Sequence, residues 1–193
     1  HLFTLSVKRG PLQGLCALPY PAPMTILLHA CCGPCSTASI ERLLGDGWQV
    51  VLYFPNSNIF PEAEHTLRYG ELLKVARLHG LEVIKGEYDH ERWLAAVSGL
   101  EAEREGGLRC EACFAYNLRE AQAKAVELGI EHFTTTLTVS RFKRSAQIFA
   151  VGEQLEGFEP IDFKKKGGFE RSTQLAKEMG LYRQHYCGCE FSM

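Results

Sequence analysis

Hydrophobic positions in this chain follow two alternating rhythms. Short runs rich in β-branched and aromatic residues have the compactness of buried strands: Thr25 to Leu28, Trp48 to Phe54, Leu81 to Ile84 and Glu131 to Val139. Between them lie longer segments with apolar residues at helical spacing: Ser36 to Leu44, Glu62 to His79, His90 to Val97, Cys110 to Leu128, Ser140 to Leu155 and Phe169 to Met179. Gly45, Gly80, Gly129, Gly157 and Gly180 fall where helix ends are due. In the segment Glu62 to His79, Leu67, Leu72, Leu73, Ala76 and Leu78 set out an apolar stripe. Phe158 to Phe163 reads as a last strand. Strand–helix alternation with right-handed crossovers predicts an α/β fold, a mostly parallel sheet flanked by helices.

Composition narrows this picture. A chain of 193 residues, 46% of them hydrophobic, suits one α/β domain, expected over residues 24–193. Residues 1–23 are Pro/Gly-rich, with Lys8 and Arg9 after the apolar residues, the wrong order for a secretory signal. They read as a tag-derived or disordered extension. No apolar run approaches the length needed to span a bilayer, so no membrane partner is expected. The net charge of -2 demands no polyanionic partner, though it leaves room for a local basic patch. Eight cysteines are too few for a disulfide-stapled scaffold. In a reducing cytoplasm, the expected location, clustered cysteines bind metal or do redox chemistry.

Seven of the cysteines cluster. Cys31, Cys32 and Cys35 lie in His29-Ala-Cys-Cys-Gly-Pro-Cys35, directly after the first strand. The carboxyl ends of strands are where open α/β sheets place their chemistry. Cys110-Glu-Ala-Cys113 has i, i+3 spacing and opens a helix, whose N-terminus favours thiolates. Cys31, Cys32, Cys110 and Cys113 together supply four ligands. Adjacent cysteines suit separate corners of an iron–sulfur cluster better than one small zinc ion. Spacing alone leaves iron–sulfur, zinc and a purely thiol system all open. Cys187-Gly-Cys189 spaces two thiols for a strained, easily reduced bridge, or for two further ligands of the same metal. Cys35 reads equally as a spare core thiol.

The motifs that carry this chemistry resemble a known family. His29-Ala-Cys-Cys-Gly-Pro-Cys35, Tyr53-Phe-Pro-Asn-Ser-Asn-Ile-Phe-Pro-Glu62, Arg109-Cys-x-x-Cys113, Lys165-Lys-Gly-Gly-Phe-x-Arg-Ser172 and Gly180-Leu-Tyr-Arg-Gln-His-Tyr-Cys-Gly-Cys-Glu-Phe-Ser192 are similar to those of QueH-type epoxyqueuosine reductases. The resemblance runs from about Met24 to Met193. It implies a HUP-like, Rossmann-like sheet and cobalamin-independent reduction of epoxyqueuosine to queuosine at the wobble position of tRNA. By position it implies that Cys31, Cys32, Cys110 and Cys113 hold a [4Fe–4S] cluster and that Cys187 and Cys189 are redox-active. It also admits a second iron, held by the Cys187/Cys189 sulfurs and a carboxylate. One departure stands out: Arg141-Phe-Lys-Arg144 follows Ser140 where many relatives carry a proline and a histidine.

Removing an epoxide oxygen as water takes two electrons and two protons. A cluster fed by an external one-electron donor delivers electrons singly, whereas a dithiol carries two. The C-terminal cysteine-bearing segment is therefore expected to fold over the sheet edge, beside the cluster. His29, Asp89, His185 and Tyr186 are the candidate proton donors. Basic residues concentrate late in the chain, at Arg141, Lys143, Arg144, Lys164, Lys165, Lys166, Arg171 and Arg183, interleaved with Phe142, Phe163, Phe169 and Tyr182. That mixture suits phosphates and stacked bases of an unpaired anticodon loop. Two rival classes are an ATP-using tRNA-modifying enzyme and a zinc- or thiol-based tRNA-binding module. The first lacks its loop, because His29-Ala-Cys-Cys-Gly-Pro stands where a pyrophosphate-binding Ser-Gly-Gly-x-Asp-Ser would be and no Gly-x-x-x-x-Gly-Lys occurs. The second has no use for the Cys-Gly-Cys pair.

Overall fold

A computed structural model describes residues 24–193; the expected extension at 1–23, with Cys16, lies outside the described residues. Four parallel strands form one sheet in the order β3-β2-β1-β4. They are β1 (Thr25–His29), β2 (Gln49–Phe54), β3 (Val83–Lys85) and β4 (His132–Thr135). The helices are α1 (Gly33–Gly45), α2 (Glu62–His79), α3 (His90–Ala96), α4 (Leu108–Glu127), α5 (Ser145–Gly152) and α6 (Gly168–Glu178). One face of the sheet packs with α1, α2 and α6 through Ile26, Leu28, Ile40, Leu52, Leu72 and Ala176, which are buried. The other face meets α4 and α5 through Leu27, Phe114, Leu118, Phe133 and Ile148. Among the described residues no helix is long and apolar enough to cross a membrane.

The chain leaves β1 toward β2 on one side and returns to pair β4 on the other. The order of winding thus reverses between the carboxyl ends of β1 and β4. At such a switch point diverging connections leave a crevice. The cysteine turn after β1 opens into it.

Three expectations are corrected. The strand expected over 131–139 stops at Thr135, and Thr136–Val139 coil into a 3-10 turn, because the Thr135 side chain accepts a hydrogen bond from Leu137 N. Residues 158–163 form no strand. Only Phe158 bridges to Phe133, and Pro160 has no N–H to extend a ladder. Helix α2 has the expected bounds but a different buried face. His65, Arg68 and Glu71 are buried with Leu72, Val75 and Ala76, while Leu67 and Leu78 are exposed.

Candidate functional site

The turn after β1 is pulled tight by the helix that follows it. Pro34 lies in the first turn of α1, where a missing N–H costs nothing, and the Cys32 sulfur caps the helix by accepting from Cys35 N at 3.4 Å. Helical geometry then brings Cys35 back beneath Cys32. The Sγ atoms of Cys31, Cys32 and Cys35 lie within 4.8 Å of one another. Gly33 sits at the closest approach of α1 and α2: a Cβ there would stand 2.7 Å from the Glu71 carbonyl carbon. The Thr136 hydroxyl ties the turn to the segment just after β4, accepting from Cys31 N at 2.9 Å and donating to Cys31 Sγ at 3.2 Å.

Three buried thiols cannot all ionise together. The Cys31 side chain hydrogen-bonds Cys32, and this, with Cys35, holds the Cys32 thiol well below its ordinary value. The same hydrogen bond pushes Cys31 up to about 11, and hydrogen bonds to Cys31 and Cys32 push Cys35 up as well. Of the three thiols, Cys32 is thus the one that its neighbours favour as the thiolate.

His29 lies under the turn, fully buried. Asn56 Nδ2 donates to Ala30 O at 2.8 Å, which turns Asn56 Oδ1 toward His29 Nε2 at 3.2 Å. Nε2 therefore carries the proton, and Nδ1 accepts from the Thr135 hydroxyl at 2.8 Å. Burial lowers the pKa of His29, consistent with a neutral ring. Both ring nitrogens are engaged in joining β1, β4 and the loop after β2.

Above the turn lies a cavity of about 390 Å³. Cys31, Cys35, Cys113 and Cys187 line it, with Asn56, Asn58, Asn117 and Thr136 as further polar walls. Four lining residues are cationic, Arg68, Arg141, Lys143 and Arg183, against one carboxylate, Glu105. Cys113, on the first turn of α4, is pushed up by burial and then by the nearby Cys187. Burial also raises Cys110, whose sulfur accepts from Gly106 N at 3.2 Å. Neither α4 sulfur belongs to the tight group around Cys32.

The C-terminal segment crosses over this cavity, held by side chains of α2 and the loop before it. Arg68 donates from Nη1 to Cys187 O at 3.0 Å and from Nη2 to Tyr186 O at 3.5 Å, while its Nε meets Glu64 at 2.7 Å. Tyr182 donates its hydroxyl to Glu64 and its N–H to Glu71, and Phe60 N donates to Gly188 O at 2.8 Å. Gly188 has φ 146, with Arg68 Nη1, Asn58 and Ile59 within 3.2–3.4 Å of any added Cβ, so only glycine suits the middle of the pair. Cys187 faces the cavity. Cys189 turns away into an apolar cluster with Trp93, Val97 and Phe191. All seven cysteines among the described residues are free thiols.

Lys143 belongs to this site, although by sequence it is one of a basic run. Its Nζ lies 3.1 Å from Cys187 Sγ. Burial alone would depress it, but Cys187 and then Cys31 hold its pKa above the ordinary lysine value. The other expected residues sit elsewhere. Asp89 caps α3, accepting from Arg92 N at 2.9 Å, and does not line the cavity. His185 and Tyr186 do line it, and the Tyr186 hydroxyl donates to Phe60 O at 2.6 Å. Lys164 donates to Lys143 O, Lys165 and Lys166 are exposed, and Arg171 is paired bidentately with Glu41. Cys35, left open as a possible spare core thiol, joins the sulfurs of the turn, and Lys143, grouped with the basic run, reaches Cys187. Pro34 at a first helical position was the available signal for Cys35.

A family model described as epoxyqueuosine reductase QueH matches residues 26–193. Curated relatives bearing that description include one from Streptococcus pyogenes serotype M1, 37% identical and covering 87% of this chain and 70% of the relative. Another, from Thermotoga maritima, is 34% identical, covering 88% and 90%. Solved structures share the fold at low identity. A U34-tRNA thiolase NcsA from Methanococcus maripaludis, with its [4Fe-4S] cluster, superposes with TM-score 0.56 at 11% identity, covering 89% of this chain and 62% of that one. A predicted subunit of tRNA methyltransferase from Methanocaldococcus jannaschii does so at 0.53 and 13%, covering 84% and 93%. The matched span takes in the cysteine turn, the α4 pair and the Cys-Gly-Cys tail, and the chain belongs to the epoxyqueuosine reductase QueH family of oxidoreductases.

Proposed function

We propose that this chain reduces the epoxide of epoxyqueuosine in the anticodon loop of tRNA, giving queuosine, in the cytoplasm. The family match carries this reading, and a sulfur-lined cavity at the switch point of the sheet supports it. In the reaction both carbon–oxygen bonds of the epoxide break, the oxygen leaves as water and an alkene remains. That consumes two electrons and two protons, which is what two thiols release on becoming a disulfide. We assign this exchange to Cys187 and Cys189. Cys187 faces the cavity, with Lys143 placing positive charge beside it. Cys189 would have to swing out of its apolar cluster to join it.

The donor set suits an iron–sulfur cluster. Thiols converge from the β1 turn, α4 and the tail, and Gly106 N and Gln184 Nε2 already point at Cys110 and Cys32 sulfurs. By position in the family, Cys31, Cys32, Cys110 and Cys113 would hold the cluster. When bound, a [4Fe–4S] centre supplies electrons singly from an external one-electron donor. A second reading of the ligand set rests on one observation: it is Cys35, not Cys110 or Cys113, that lies within 4.8 Å of Cys31 and Cys32. Such a tight group also suits one small ion such as zinc, whose bonds to sulfur are about 2.3 Å.

Protein purified without oxygen and assayed on tRNA carrying epoxyqueuosine tests this. The loaded protein should be brown and should form queuosine. Cys31→Ser and Cys32→Ser should each lose most of the iron and sulfide. Cys187→Ser should keep both and lose turnover. Iron lost in Cys35→Ser but kept in Cys110→Ser would favour the second ligand set. A colourless zinc protein without turnover would sink the reading.

A further inference from the structure

Phe142 is 77% exposed, more than any other large apolar side chain among the described residues. A lone exposed aromatic needs no explanation, but this one is built into an arrangement. The Arg141 guanidinium lies 4.9 Å from the Phe142 ring centre and 5.5 Å from that of Phe169, so the cation is shared by two aromatic rings. All three residues line the same cavity as Cys31, Cys35 and Cys187. The loop that presents Arg141 and Phe142 is pinned. Phe142 N donates to Ser140 Oγ at 3.3 Å, Lys143 is anchored on Cys187, and Lys164 Nζ donates to Lys143 O. Phe142 is thus held outward on a fixed turn.

We propose that Phe142 is a stacking platform for an unpaired nucleobase, the neighbour in the RNA chain of the nucleotide whose modified base enters the cavity. This rests on the tRNA reading above and adds a residue and a mode of contact to it. An exposed ring face accepts any base, because every base has a π-face. Two exposed cations of the lining, Arg141 and Arg183, against the one carboxylate Glu105, fit a phosphate backbone and disfavour a basic partner.

The test uses the iron-loaded protein and an anticodon stem-loop RNA carrying 2-aminopurine on either side of the wobble nucleotide. With the natural chain, fluorescence at one of these positions should be quenched on binding. Phe142→Ala should weaken binding on the order of ten-fold, the effect of one lost base–aromatic stack, and abolish the quenching. Phe142→Trp should keep both, and Phe142→Leu should behave like Phe142→Ala. The log–log salt dependence should not change, because no phosphate contact is removed. Unchanged affinity and quenching in Phe142→Ala would overturn the platform and leave tRNA binding intact, as would full function in Phe142→Leu. Failure of the natural chain to bind the RNA at all would overturn the tRNA reading itself.

Discussion

Two cysteine-bearing segments meet at the cavity, and the fold holds them in opposite ways. Cys31, Cys32 and Cys35 ride on the core. They continue a central strand, cap a helix with a sulfur and exchange hydrogen bonds with Thr136, just after β4. Cys187 and Cys189 lie on a tail with no regular structure until the single turn Glu190–Ser192. That tail is fixed by polar side chains: Arg68, Glu64 and Glu71 of α2, and by His90, whose Nε2 lies 3.0 Å from Glu190. Chain connectivity and the main core fix the first set, whereas a few removable polar contacts and one small apolar cluster around Cys189 fix the second. A thiol pair that must change partners during turnover is suited to the second kind of support, and metal ligands to the first.

Arg68 is where this contrast breaks most severely. Its side chain is 2% exposed, its ion pair with Glu64 is closed in, and it also holds the Cys187 and Tyr186 carbonyls. Arg68→Ala strands a buried carboxylate and should cost about 3 kcal/mol or more in thermal or denaturant unfolding. Amide exchange over residues 186–193 should rise sharply while the β1 turn stays protected. Equal loss of protection at both segments would show that they are not separately supported.

Gly33→Ala is expected to do less, and through the other segment. Helix propensity alone favours alanine by up to about 1 kcal/mol. The added carbon, however, would lie 2.7–2.9 Å from Glu71 carbonyl and Cβ atoms, two of them backbone and unable to step aside. Overpacking should win, with a net loss of about 1–2 kcal/mol. Because Glu71 also accepts from Tyr182 N, the tail should loosen slightly as well. A stabilised Gly33→Ala protein would mean that α1 and α2 separate freely and that the turn is not clamped between them.

The same contrast governs what could be read in advance. β1, β2 and α2 were legible because their hydrophobic rhythm is strong and local. The parallel sheet followed from alternation alone. Missed features depend on contacts distant in sequence. The polar buried face of α2 exists to receive the tail, 111–119 positions away in the chain, and a stripe count finds the leucines first. Lys143 looks like Arg141 and Lys164 in a basic run, and only the fold turns it inward to Cys187. The role of Cys35 stayed open because the helix was expected to start at Ser36, where the structure starts it at Gly33.

Acidification should have the smallest effect per group, and it probes both supports together. His29 beneath the turn and His65 beneath the tail's seat are buried, and burial lowers both from 6.5. His65 hydrogen-bonds Pro55 O at 2.9 Å, at the start of the loop whose Phe60 N–H holds Gly188. The unfolded chain binds a proton at each site near its ordinary value, while the folded chain still resists. Stability from these groups is therefore complete above 6.5 and lost as pH falls below it. By about pH 5.5 the loss is at most roughly 1.4 kcal/mol per histidine. The Arg68 guanidinium stays charged throughout and adds nothing to this slope. His65→Gln should lower stability at neutral pH and flatten the decline between about pH 7 and 5.5 by His65's share, leaving that of His29. An unchanged slope would mean that His65 takes up a proton in place, and that the tail's seat tolerates the charge.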